Sequence, residues 1–334
     1  MVAMKGTIPN TTPMFMAGVR LVPAGVLVLI AAMFMGRPQP KTGKAWCWIA
    51  LFALVDGMMF QGFLAEGLVR TSAGLGSVMI DSQPLAVALL SAWLFAETIG
   101  LVGAAGLAIG ILGISLIGLP DPWIMGWLQG ENLMPSLEIN RLFENGECWM
   151  LLAALSMAVG TVMMRGVARE ADPVVATGWH MILGGIPLWV ISAATESEQW
   201  VNINMDGWLA LAYATVFGSA IAYGLFFYFA AKGNLTSLSA LTFLTPVFAL
   251  LFGNILLSET LSGVQSIGVG LTLVSIYLIN QRGAIAEKLK FDRSNATVVS
   301  FSDRSTREKL LLSFPQENSP VELPVEAKTL ESDR

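Results

Sequence analysis

Long runs in which nearly every position is apolar dominate the first 281 residues, and none shows the two-residue alternation of a half-buried strand. A helix needs about 20 apolar residues to cross the hydrocarbon core of a bilayer. Nine runs approach or exceed that length, at residues 14–35, 45–66, 73–96, 101–119, 147–168, 174–194, 207–231, 235–257 and 261–281. Their length and lack of alternation predict helices rather than barrel strands. Glycines fall inside the runs, as at Gly103, Gly106, Gly110 and Gly113. They would weaken a helix in water, but in lipid small residues let helices approach closely. The predicted fold class is all-α, a polytopic membrane protein.

The runs repeat. A shift of 162 positions superimposes Trp46 on Trp208, Gly62 on Gly224, Ser77 on Ser239, Pro84 on Pro246 and Glu97-Thr98 on Glu259-Thr260. Upstream a shift of 160 fits better, placing Pro13 on Pro173, Gly18 on Gly178 and Gly25 on Gly185. It also carries residues 2–6 onto residues 162–166, near the end of the first helix of the second copy. The chain is therefore expected to lack most of its first membrane helix, roughly 14 residues by this register; a natural nine-helix protein is the alternative. The expected organisation is a first repeat over residues 1–119, truncated at its start, a linker over 120–146, a second repeat over 147–281 and a mostly disordered tail over 282–334. A complete repeat of five helices has an odd number of crossings, so the two copies should be inverted in the membrane, a recurrent transporter design.

Charge sharpens this picture. Charged residues make up 13% of the chain against 54% hydrophobic, about half the usual globular share of roughly 25%. The loop cations Arg37, Lys41, Lys44, Arg165, Arg169 and Lys232 fall on one side if the C-terminus is cytoplasmic, with only Lys5, Arg70 and Arg141 on the other. The positive-inside rule favours that orientation. A net charge of −5 and the lack of a basic stripe interleaved with aromatics argue against nucleic acid as a partner. One histidine and two cysteines, Cys47 and Cys148, exclude the usual metal clusters. No cofactor is expected.

Ionisable groups inside membrane spans are costly and mark candidate sites. Asp56 lies near the middle of its run, Arg20 about two turns into the first full span, and His180 at the repeat equivalent of Arg20. Asp81 and Gln83 precede Pro84, and Thr245 precedes the equivalent Pro246. Each proline frees a carbonyl one turn earlier, so both are expected to kink their helices and present polar backbone to a cavity. Gln61, its repeat equivalent Tyr223, and Trp179 add polar and aromatic groups at similar depth. These residues define an expected polar cavity between the halves. Plainer readings exist: an Asp56–Arg20 ion pair, a neutral His180 at a helix contact, Glu97 and Glu259 capping the next helix, and Trp123 and Trp127 resting at the membrane surface. Histidine is also the side-chain type that ordinarily changes charge near neutrality, which allows proton coupling.

The assembled residues resemble the EamA family of the drug/metabolite transporter superfamily, through the pattern Pro84…Glu97-Thr98 and Pro246…Glu259-Thr260. The plant-type branch of chloroplasts and cyanobacteria is the nearest resemblance. It rests on residues 70–77 running into Ile80-Asp81-Ser82-Gln83-Pro84, on Ala176-Thr177-Gly178-Trp179-His180-Met181 and on residues 217–224. The resemblance implies ten helices in two inverted five-helix repeats and a secondary carrier working by alternating access without ATP. The expected partners are the lipid bilayer, a small-molecule metabolite, protons and a second copy of the chain. A bacterial inner membrane is the expected location, with a plastid envelope as the alternative. Two other classes compete with a carrier. A membrane receptor or assembly partner would keep the fold without transport. An integral membrane enzyme would need a nucleophile beside a base, and no such spacing is present.

Overall fold

A computed structural model describes residues 1–96, 99–118, 144, 146–225, 244–281 and 283–285. Among these residues the regular structure is entirely helical. In the first repeat, α1 (Val2–Thr7) leads through a 3-10 turn into α2 (Pro13–Phe34). Next come α3 (Gly43–Phe52) and α4 (Phe60–Arg70), joined without a break by a π-helical segment, Ala53–Met59. Then follow α5 (Ala73–Asp81), α6 (Gln83–Phe95) and α7 (Leu101–Gly118). The second repeat comprises α8 (Gly146–Glu170), α9 (Pro173–Thr195), α10 (Met205–Thr215) with a second π segment, Val216–Ile221, α11 (Leu244–Leu257) and α12 (Gly263–Asn280). Seven helical stretches among the described residues are long and apolar enough to span a membrane, and Leu101–Ile117 and Thr245–Leu257 are shorter apolar helices. They coincide with the nine expected runs, while residues 119, 226–231 and 235–243 of those runs lie outside the described residues. So do Glu97, Trp123, Trp127, Arg141, Lys232 and nearly all of the tail.

Start signals are local. Thr42, Ser72 and Asn204 each accept a hydrogen bond from a first-turn amide of α3, α5 and α10, and Asp172 accepts two at the start of α9. Ser262 and Gln265 form a reciprocal capping box on α12, so those otherwise orphaned amides are satisfied.

The packing is antiparallel and pseudo-symmetric. Along α2 and α9, a Cβ on Gly18 would meet Trp189 and one on Gly178 would meet Leu29. The shift of 160 turns the first contact into the second. Gly25 lies against Ile182 and Gly185 against Val22, which are again one contact and its mate. Along α7 and α12, under the shift of 162, Gly110 against Ser275 maps onto Gly113 against Thr272, and Gly106 against Ile279 onto Gly268 against Ile117. In both pairs, later positions on one helix meet earlier positions on the other, so the helices run in opposite directions. The repeats are therefore inverted, with small residues allowing the close crossings.

Two details differ from the sequence expectation. The expected kink at Pro84 is a helix break at Ser82, two residues earlier. Pro84 has no N–H to donate and is the second residue of α6, while the Ser82 hydroxyl donates to the Met79 carbonyl at 2.6 Å. At Pro246 the described helix only begins at Leu244, so a kink there lies outside the described residues. Glu259 does cap a helix, but not the next one in the chain. Its carboxylate accepts from Ala73 N at 2.6 Å and Gly74 N at 3.1 Å at the start of α5 in the opposite repeat.

Candidate functional site

The two π segments occupy equivalent places in the repeats: Ala53–Met59 shifted by 162 falls on residues 215–221, and the second π segment covers Val216–Ile221. A π turn adds a residue to the helical turn and is found frequently at functional sites. It leaves the i−4 bonding pattern, and Ser219 Oγ donates to the Ala214 carbonyl five residues back at 3.1 Å. Hydropathy cannot reveal this geometry, because π and α turns use the same apolar residues.

Each π segment is met by the second helix of the other repeat. From α2, Arg20 donates through one terminal nitrogen to Ser219 Oγ at 2.8 Å and through the other to Gln61 Oε1. From α9, His180 Nε2 lies 3.2 Å from Asp56 Oδ2, and its Nδ1 lies 2.6 Å from the Thr177 carbonyl. Arg20 and His180 are repeat equivalents, as are Ser219 and Gly57. Gly57 has no side chain to meet its partner. A Cβ there would sit 2.8 Å from the His180 carbonyl oxygen and 2.9 Å from Gly184 Cα, and the imidazole reaches the preceding residue, Asp56. Gln61 Nε2 donates to Tyr223 Oη over a long 3.4 Å. Those two are also equivalents, and a contact between equivalents lies on the pseudo-two-fold axis.

The cluster is closed. Relative exposure is 5% for Arg20, 5% for Asp56, 2% for Gln61, 1% for His180 and 0% for Ser219. This differs from the open polar cavity expected between the halves. The two crevices described lie elsewhere. One, of about 460 Å³ and almost wholly apolar, runs between α2, α9 and the second π segment; the other, of about 360 Å³, lies beside Glu259. The Asp56–Arg20 ion pair considered from sequence is not formed, since Asp56 pairs with His180. Ser219 was not singled out by sequence, although its equivalence to Gly57, next to Asp56, marks the position.

The remaining sequence candidates sit apart from these contacts. Trp179 donates from Nε1 to Gln39 at 2.9 Å and meets Trp46 edge-on at 5.0 Å. Being one residue from His180, it lies about 100° around α9 from it. Asp81 accepts from Ser77 Oγ at 3.0 Å, and Gln83 donates to Thr161 Oγ1 at 2.7 Å. Thr245 is exposed and Pro246 buried.

Inverted repeats crossing on small residues, with ionisable groups buried around a polar contact on the symmetry axis, define a polytopic membrane protein of carrier architecture. The profile of the EamA-like transporter family matches residues 1–119 and 144–281. The chain belongs to that family and is a multi-pass membrane transporter by that membership. It is 62% identical over 290 residues to an uncharacterized transporter of Synechocystis, covering 87% of this chain and 88% of the relative. A WAT1-related, chloroplastic protein of Arabidopsis thaliana is 51% identical over 284 residues, covering 84% of this chain and 66% of that protein. These relatives agree with the plant-type branch suggested by the motifs. A solved protein structure at 17% identity superimposes with a TM-score of 0.59 over 86% of this chain and 92% of its own, a likeness of fold alone.

Proposed function

We propose that this chain is a secondary carrier, an exporter or exchanger of a small metabolite, working by alternating access around the polar cluster between its repeats. One observation carries the reading: each repeat's second helix makes its buried polar contact with the π segment of the other repeat. A pseudo-symmetric pair of such contacts suits two conformations in which the halves exchange roles. The closed cluster corresponds to an occluded arrangement, and the polar groups would line the path once one contact opens. Residues 1–119 and 147–281 act as the two halves, 120–146 as their linker and 282–334 as a cytoplasmic tail. A bacterial inner membrane fits the inferred orientation. The chloroplastic relative keeps a plastid envelope as the alternative.

The test is transport by the purified chain in proteoliposomes with a metabolite panel at two pH values, comparing wild type with Asp56→Asn and His180→Ala. The carrier reading expects solute-specific uptake that both substitutions impair. Unchanged transport and pH response in both variants would remove Asp56 and His180 from the mechanism. Specific binding without uptake would favour a receptor.

A further inference from the structure

Arg20 is buried to 95% and yet has no anionic partner among the described residues. Its two terminal nitrogens meet neutral oxygens, Ser219 Oγ and Gln61 Oε1, and its Nε has no hydrogen-bond partner among the described residues. The nearby carboxylate that could have balanced it, Asp56, is engaged by His180 instead. A guanidinium does not shed its proton in a protein, and a buried charge without a counter-ion is costly. Such a group persists where function requires it.

We infer that Arg20 anchors the anionic head of the transported solute, a small organic carboxylate. The inference rests on the carrier reading and names its substrate class. Arg is the side chain best suited to a planar carboxylate, which can take Nε and a terminal nitrogen together. The present partners can yield one edge, because both hold second bonds of their own: Ser219 to the Ala214 carbonyl and Gln61 to Tyr223. A cationic solute would meet repulsion at Arg20, and a neutral one would leave its charge uncompensated.

The test reads binding rather than transport, so that it can fail separately from the carrier reading. The full chain, purified in detergent, is heated with butyrate, butyramide or butylammonium at equal concentration and ionic strength. The three probes share an apolar body and differ in head-group charge. Butyrate should raise the unfolding midpoint of wild type by several degrees, and the other two should not. Gln61→Glu supplies Arg20 with a carboxylate of its own without changing side-chain size. It should fold, gain stability without ligand, and weaken apparent butyrate affinity by about tenfold or more. Arg20→Gln should abolish the response. Equal stabilisation by all three probes, no response of wild type to butyrate, or an unchanged butyrate response in Gln61→Glu would each overturn the assignment. A chain that transports only neutral or cationic solutes would keep the carrier reading and lose this one. A chain that binds butyrate but moves no solute would do the reverse.

Discussion

His180 on α9 touches Asp56 in the first π segment at 3.2 Å, so the second helix of one repeat is tied to the third helix of the other by a buried imidazole–carboxylate contact. The ring also packs on Phe52 with centroids 4.3 Å apart. Removing one member leaves the other buried without its partner. Asp56→Ala and His180→Ala should each destabilise the detergent-purified protein by about 3 kcal/mol. The double variant should lose less than the sum, with a coupling of roughly 1–3 kcal/mol. A thermal or denaturant double-mutant cycle measures this, and strict additivity would mean that the contact carries no energy.

The first π segment also brings backbones together. A Cβ on Gly184 would stand 2.5 Å from Gly57 Cα, a clash with backbone that no rotamer can relieve. Gly184→Ala should therefore cost roughly 1–3 kcal/mol through overpacking and displace His180 from Asp56. Gly218→Ala in the second π segment has open space around its Cβ and should be near neutral. Thermal stability of the two variants side by side provides the comparison.

Glu259 joins the repeats at another point by capping α5 through Ala73 N and Gly74 N. Glu259→Ala removes a charged acceptor from a helix N-terminus and should cost about 1–2 kcal/mol. Glu259→Gln, which keeps one acceptor oxygen, should lose less than half of that. Hydrogen exchange at the start of α5 should speed up in Glu259→Ala and stay slow in Ser262→Ala, whose hydroxyl serves α12.

Trp179 gives a contrasting case. Its indole bonds Gln39 rather than the polar cluster, so Trp179→Phe should cost about 1 kcal/mol and leave solute selectivity unchanged. A shift in selectivity, measured as the ratio of transport rates for two solutes, would place Trp179 on the path.

Much of this architecture is legible in the sequence. Spans and duplication could be read because membrane burial leaves long apolar runs and because Trp46/Trp208, Pro84/Pro246 and the Glu-Thr pairs keep a constant register. Arg20, Asp56, Gln61, His180 and Tyr223 stood out because polar side chains are expensive in those runs. The π segments were not legible, since their hydrogen bonding leaves no compositional trace. Ser219 escaped for a related reason: serine is common in membrane helices, and apart from its equivalence to Gly57 it is distinguished by its position beside a cross-repeat arginine. The placing of Trp179 and the destination of Glu259 depend on which helix comes alongside, and a single sequence does not carry that information. The break before Pro84 falls at Ser82, whose hydroxyl donates to the Met79 carbonyl, one residue before the Ile80 carbonyl that the proline leaves bare.

The central claim is that the cluster between the repeats is reached from each side of the membrane in turn, and Ser219 offers the most direct view of it. The two described native cysteines are free thiols, so Cys47→Ala and Cys148→Ala leave a background into which Ser219→Cys can be introduced. Reaction of that thiol with a membrane-impermeant reagent is then measured from each face of oriented vesicles. The account predicts slow labelling from both faces, with a transported solute protecting the thiol. Labelling from one face only, or from neither under conditions of active transport, would contradict it.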